Sequence, residues 1–198
     1  MKREDKNQLK RRSIMKSALA EFSKQGYGGS SINTICSAQG ISKGIIYHYF
    51  KTKDDLFLAC VEECFTLLTN YIEDETKSLK GGMEEQLEIY FTARLSFFAK
   101  YPVYQRIFCD AVVTPPDHLK DQIHLLKKSF DDLNIEILEK LLAPIPLRSP
   151  ITKEEVIDTF RQFQDYINAH YQTTELELHE KRCKSALNIL LYGVIERK

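Results

Sequence analysis

No apolar run in the chain approaches the roughly 18–20 residues that would span a bilayer as a helix. The opening MKREDKNQLKRR is charged, with no apolar h-region behind it, which argues against a secretory signal and for a cytoplasmic protein. The five cysteines are an odd number and include no C-x-x-C pair. That suggests reduced thiols and not a disulfide framework. G-x-S-x-G, the P-loop, G-x-G-x-x-G and H-E-x-x-H are all missing, and the five histidines are dispersed. No His/Cys/carboxylate set has zinc spacing. The expectation is therefore a protein that is not an enzyme, with no cofactor and no metal. Strand-like alternation is also absent, as are repeats and low-complexity tracts, so the fold class reads as all-α.

What is present is unevenly spread. The 28 Lys/Arg and 28 Asp/Glu cancel, but residues 1–60 hold eleven of the bases and only five of the acids. A head of +6 on a body of −6 is what a phosphate-binding module joined to a different kind of domain would show. Helical periodicity places helices at about Gln8–Gln25, Ser31–Gln39, Lys43–Phe50 and Asp54–Leu79. Further ones follow at Met83–Lys100, Pro102–Val113, Pro116–Leu142, Thr152–Tyr171 and Thr174–Arg197. Leu9, Ile14, Ala18, Leu19 and Phe22 form the apolar stripe of the first. The expected domains are 1–52 and 53–198.

Ser31 to Phe50 has helix-turn-helix form, two short helices joined by a tight turn at Gly40. Ser31 and Ser42 suit the two N-caps. Ile41, Ile46, Tyr49 and Phe50 can anchor the second helix on Ile14, Ala18, Phe22, Ile32 and Ile35. Lys43, Gly44, Tyr47 and His48 are left on its other side. Gly44 costs helix propensity, up to about 1 kcal/mol against alanine, and makes sense if backbone must approach DNA. On pattern alone a plain capped helix pair in a helical core is an equal reading.

The letters themselves add to the pattern. Ile41-Ser42-Lys43-Gly44-Ile45-Ile46-Tyr47-His48-Tyr49-Phe50-Lys51-Thr52-Lys53-Asp54-Asp55-Leu56 closely resembles the recognition segment of the TetR family of bacterial repressors. Ala18-Leu19-Ala20-Glu21-Phe22, Gly26-Tyr27 and Ser31-Ile32-Asn33-Thr34-Ile35-Cys36 resemble that family's first two helices. The match covers roughly residues 9–60. The resemblance implies that Lys43, Gly44 and Ile45 lie at base edges, with Ser42 also among the DNA-binding residues. It puts Tyr47 and His48 at phosphate or a thymine methyl, and Lys53 as a clamp on a phosphate. Ser31, Asn33 and Thr34 fall at the backbone-contacting end of the second helix. Ile45 departs from the family, where threonine or alanine is usual; it can press a thymine methyl but cannot hydrogen-bond. Lys2, Arg3 and Lys6 read either as an arm adding DNA contacts or as a solvated tail.

For the body, the resemblance implies a homodimer through the last two helices. Their wide apolar faces carry Val156, Ile157, Phe160, Phe163, Ile167 and Tyr171, then Leu176, Cys183, Leu187, Leu190, Leu191 and Val194. Closing the chain's own core is the other reading of these faces. The resemblance also implies a pocket for a small-molecule inducer. Phe65, Leu68, Phe91, Arg94, Leu95, Phe98, Tyr104, Phe108, Leu133 and Ile137 are its expected lining. Their character favours an apolar or aromatic ligand anchored by Arg94 or a tyrosine. The function expected is a ligand-responsive repressor on a palindromic double-stranded operator, with no membrane partner. A thiol-responsive regulator using Cys36, Cys60 and Cys64, and a DNA-binding protein without a ligand, are the alternatives.

Overall fold

The computed structural model describes residues 3–77 and 80–170, together with Lys181, Ser185, Asn188, Ile189 and Gly193. The described elements are helices: α1 Arg3–Gly29, α2 Ile32–Gln39, α3 Lys43–Tyr49, α4 Lys53–Thr76, α5 Met83–Lys100, α6 Val103–Val112, α7 Lys120–Leu142 and α8 Lys153–His170. A short 3-10 turn, Asp117–Leu119, leads into α7. The all-α class stands. No helix among the described residues is long and apolar enough to cross a membrane. Of the expected last helix only Lys181, Ser185, Asn188, Ile189 and Gly193 are described; Leu176, Cys183, Leu187, Leu190, Leu191 and Val194 lie outside the described residues, as do Lys2 and Tyr171.

By packing, the chain forms two compact units, residues 1–65 with 103–127, and residues 66–102 with 128–198. The expected division at 52/53 follows the motif and not the packing; α6 and the start of α7 are gathered with the N-terminal helices.

In the first unit, α1 lies against both α2 and α6. Its apolar stripe is buried at Ile14, Met15, Ala18, Leu19 and Phe22. Leu9 is the exception, 54% exposed, one and a half turns before the packed part of the stripe begins. The helix also starts earlier than expected and does not stop at Gly26. That residue sits at φ 70°, ψ 175°, and one more helical turn follows through Gly29. The kink has a cause in α6. A Cβ at residue 26 would meet Arg106 Nη2 at 2.7 Å and Asp110 Oδ2 at 2.9 Å. Positive φ and close approach together leave glycine as the fitting residue. The freed Tyr27 N–H donates to Asp110 Oδ2 at 2.6 Å, and Arg106 Nε donates to the other oxygen at 2.9 Å. Asp110 is thus a buried carboxylate with a donor on each oxygen.

The second unit is built on α5, with α8 packed beside it and the later part of α7 contributing. Leu87, Tyr90, Phe91, Phe97, Phe98, Phe130, Leu138 and Phe160 fill its core. The aromatics meet edge to face: Phe91 on Phe160 at 5.5 Å, and Phe97 on Phe98 at 5.3 Å. Arg94 stands in this core, 1% exposed. Its Nη1 donates to Asp165 Oδ1 at 2.6 Å and its Nη2 to Asn134 Oδ1 at 3.1 Å, while the guanidinium lies 4.6 Å from the centre of the Phe130 ring. Tyr90 donates to the same Asn134 oxygen. Of the apolar residues assigned to the dimer face of α8, Val156, Ile157 and Phe160 are already buried within the single chain and Phe163 is half-buried. Among the described residues of that helix, the exposed large apolar side chain is Tyr166, 62% exposed.

Candidate nucleic-acid interface

The helix-turn-helix is assembled by its caps. Ser31 opens α2 with extended backbone, and its Oγ accepts the Thr34 N–H at 3.1 Å. Gly40 closes the helix at φ 62°, ψ 29°. The Ile41 N–H then reaches back to the Cys36 carbonyl at 3.0 Å and the Gly40 N–H to that of Ser37. This is a Schellman termination, with apolar Ile41 and Cys36 buried together beneath it. It turns the chain sharply enough for α3 to begin three residues later, with Ser42 as N-cap.

The seven residues of α3 divide cleanly. Ile46 has no exposure, and Ile41 and Phe50 on either side of the helix are buried with it. Ser42, Lys43, Gly44, Ile45, Tyr47 and His48 are all exposed. Tyr49 was expected in the core and instead sits half-buried at the edge. Its hydroxyl donates to Asn7 Oδ1 on α1 at 3.2 Å, so the ring spans from α3 to the helix beneath. Arg11 of α1 stacks over the Phe50 ring at 5.1 Å and secures the far end of α3. On α2, Asn33 and Thr34 are exposed, and Ser31, half-buried, has its hydroxyl engaged in the cap and with Thr34 Oγ1 at 2.8 Å.

Lys53 has a role that the motif did not indicate. Its Nζ donates to the Tyr27 carbonyl at 2.7 Å and the Ser30 carbonyl at 3.1 Å, and lies 4.2 Å from the centre of the Tyr27 ring. A cation there meets the negative end of α1 and satisfies carbonyls that the helix leaves unpaired. Next to it, Thr52 and Asp55 form a reciprocal cap: Asp55 N–H to Thr52 Oγ1 at 3.0 Å, Thr52 N–H to Asp55 Oδ2 at 3.1 Å.

Asp54 and His118 complete a cluster missed in the sequence. Tyr27 donates its hydroxyl to Asp54 Oδ1, and His118 Nε2 lies 3.2 Å from both Asp54 Oδ2 and the Tyr27 oxygen. In the sequence Asp54 marks only the start of an expected helix. Its partners lie 27 and 64 residues away, and no spacing rule connects them. Burial, then the hydrogen bond and charge of Asp54, push the Tyr27 hydroxyl from its ordinary value near 10 up to about 12. The neutral phenol is the form that the fold holds. This contribution to stability is therefore complete below pH 10 and is lost as pH climbs through 12. Following tyrosinate absorbance and helicity together should show a loss of stability through that window that is smaller in Tyr27→Phe.

The expected inducer lining divides between the two units. Phe65, Tyr104 and Phe108 are buried in the first, where Phe65 and Phe108 meet at 6.0 Å and Tyr104 donates its hydroxyl to Glu63. Leu68, Phe91, Arg94, Leu95 and Phe98 are buried in the second. Leu133 and Ile137 line a partly open groove of about 520 Å³ in the second unit, with Leu141 and the polar Glu73, Lys77, Gln86, Glu136 and Lys140. The guanidinium of Arg94, expected as a ligand anchor, is engaged by Asp165 and Asn134.

Four cysteines lie among the described residues. Cys36, Cys60 and Cys64 are buried, and Cys109 partly so. Burial pushes Cys60 and Cys64 far above the ordinary thiol range, and Cys109 up to about 11. Thiolate is the reactive form, so burial works against reaction at these three.

Two short helices joined at Gly40, the second exposed, held on a third helix and followed by a long one, make a helix-turn-helix. Residues 14–60 match the family of bacterial regulatory proteins known as the tetR family. The chain is 27% identical over 150 residues to the HTH-type transcriptional repressor AcnR of Corynebacterium diphtheriae, covering 69% of this chain and 77% of that protein. It is 21% identical over 154 residues to IcaR of Staphylococcus epidermidis, a negative transcriptional regulator of a biofilm operon, covering 76% and 77%. The fold superposes with a TM-score of 0.72 on FadR of Bacillus subtilis, solved in complex with stearoyl-CoA, at 19% identity and with 91% and 97% of the two chains covered. Residues 14–60 thus carry a tetR-family regulatory domain, and the chain as a whole shares its helical fold with solved regulators described as tetR family.

Proposed function

We propose that this protein is a dimeric repressor that reads a palindromic operator through α3 and releases it when a small apolar or aromatic inducer binds the body. One observation carries the DNA reading. The anchoring side of α3 is buried at Ile46, while Lys43, Gly44, Ile45, Tyr47 and His48 all face solvent. A helix held this way presents its outer surface to a major groove. The basic excess of residues 1–60 gives the surrounding surface the sign that phosphates require.

In this reading Lys43 donates to guanine O6 or N7, and Asn33 pairs with adenine. Ser31, Ser42, Thr34, Tyr47 and His48 meet backbone or base edges beside them. Lys53 has two donors on carbonyls and offers the third to a phosphate. Two chains related by a two-fold axis place their α3 helices in half-sites about one helical turn apart, or a multiple. On α8 the dimer uses the outward face that carries Tyr166, since Val156, Ile157 and Phe160 are already spent in the chain's own core. The aromatic interior of the second unit supports an apolar inducer, which enters by opening that packing. The unbroken α4, with residues in both units, is the element that such a ligand displaces. Release requires the inducer to favour the non-binding arrangement by several kcal/mol.

Selection from a random duplex library tests the central claim. Enrichment of a two-fold symmetric sequence, bound by two chains about a thousandfold more tightly than random DNA, is expected; no enrichment at low salt would end the proposal. Gly44 supplies a second check. A Cβ there meets nothing within 4 Å in the protein. Gly44→Ala should therefore stabilise the free protein by up to about 1 kcal/mol. The same methyl stands where DNA approaches, so affinity should fall while the melting temperature rises. If both rise, the glycine has no part in DNA approach.

A further inference from the structure

The outer surface of α3 is unusual in what it offers a base pair. Around the helix, Gly44 and His48 lie one turn apart, opposite the buried Ile46, with Ile45 on one flank and Tyr47 on the other. Lys43 is the one lysine or arginine within α3. The centre of the surface has no side chain at residue 44, and an added Cβ there would find only open space. Ile45 beside it is 37% exposed and Tyr47 is 42% exposed. Ile46, its neighbour in sequence, supplies the anchor, so packing of α3 does not call for a second isoleucine. The surface around it is polar and basic, which suits a polyanion and not an apolar protein partner.

An isoleucine at a base edge has nothing to donate or accept. The one apolar group that the major groove displays is the C5-methyl of thymine. We infer that Ile45 is a specificity-determining residue that packs on a thymine methyl, so that each half-site carries an obligatory T·A pair opposite it. This deepens the DNA reading above and rests on it. A polar group that meets Ile45 loses its water without gaining a partner, so C·G at that step is disfavoured. The T·A pair is read by its methyl and not by its hydrogen-bonding edge.

The test uses the duplex enriched from the random library and the full-length chain. Each thymine in turn is replaced by deoxyuridine, which removes the methyl and leaves the hydrogen-bonding edge unchanged. At one position per half-site, affinity should fall about fourfold, the effect of one apolar methyl returned to water, and about fifteenfold when both half-sites are changed. Cytosine at that position should weaken binding further, and 5-methylcytosine should recover part of the loss. Ile45→Ala, which is exposed and should leave the melting temperature nearly unchanged, should bind the thymine and deoxyuridine duplexes equally. If no thymine is sensitive, or if Ile45→Ala retains the full thymine preference, the inference is overturned while the DNA reading stands. If no duplex is enriched at all, both fall.

Discussion

Asp165→Asn is expected to destabilise the second unit by about 3–5 kcal/mol, because it leaves the guanidinium of Arg94 buried without its counter-charge. The geometry makes the loss hard to relieve. Arg94 is 1% exposed, its second nitrogen is tied to Asn134, and Phe130 closes one face. Asp165 is 23% exposed, so water can reach the carboxylate but not the arginine. Arg94→Ala should cost a similar amount by a different route, leaving a cavity and removing one of the two donors on Asn134 Oδ1. Replacing both partners, Arg94→Met with Asp165→Leu, should recover most of the loss, since buried pairs can often be exchanged for apolar side chains of similar volume. Urea unfolding of the four proteins decides the matter. A single-variant loss below about 1 kcal/mol would mean that the pair behaves as a surface salt bridge.

Lys43→Ala should weaken binding of the selected duplex about tenfold to a hundredfold, with little change on random DNA, as expected for loss of a base contact worth about 1–3 kcal/mol. The preferred base at one position should relax in a repeat selection. Lys53→Ala should behave differently. It should lower affinity for specific and random duplexes alike and reduce the salt slope by about one unit. It should also lower the melting temperature, because the carbonyls of Tyr27 and Ser30 lose their partner. Titrations at several salt concentrations, with melting curves alongside, separate the roles. If Lys53→Ala lowers stability and leaves the salt slope intact, the lysine serves α1 and not the phosphate. If Lys43→Ala changes neither affinity nor preference, the assignment of α3 as the reading helix fails.

Much of the first unit was legible because its signals are local. Ser31 and Gly40 bound α2 through hydrogen bonds within six residues, and the period of Ile41, Ile46 and Phe50 marks the buried side of α3. Tyr49 broke the pattern because a partner on a distant segment, Asn7, drew its hydroxyl to the edge. The inducer lining was less legible. An aromatic stripe at helical spacing looks the same whether it faces a pocket or a packed neighbour, and Phe91 and Phe98 proved to be packed. The α8 face was similar: Val156, Ile157 and Phe160 are apolar for the chain's own core, and periodicity does not name the partner.

Short-range rules in the chain itself settled the helical class, the turn at Gly40 and the exposed set from Lys43 to His48, since helix periodicity and capping act over a few residues. Tertiary packing alone decided that Lys53 closes the end of α1, that Gly26 makes room for Arg106 and Asp110, and that Arg94 is matched by Asp165 seventy-one residues on. Those pairings join segments far apart in sequence, and they are selected by the depth, shape and charge of the space that the packed helices leave.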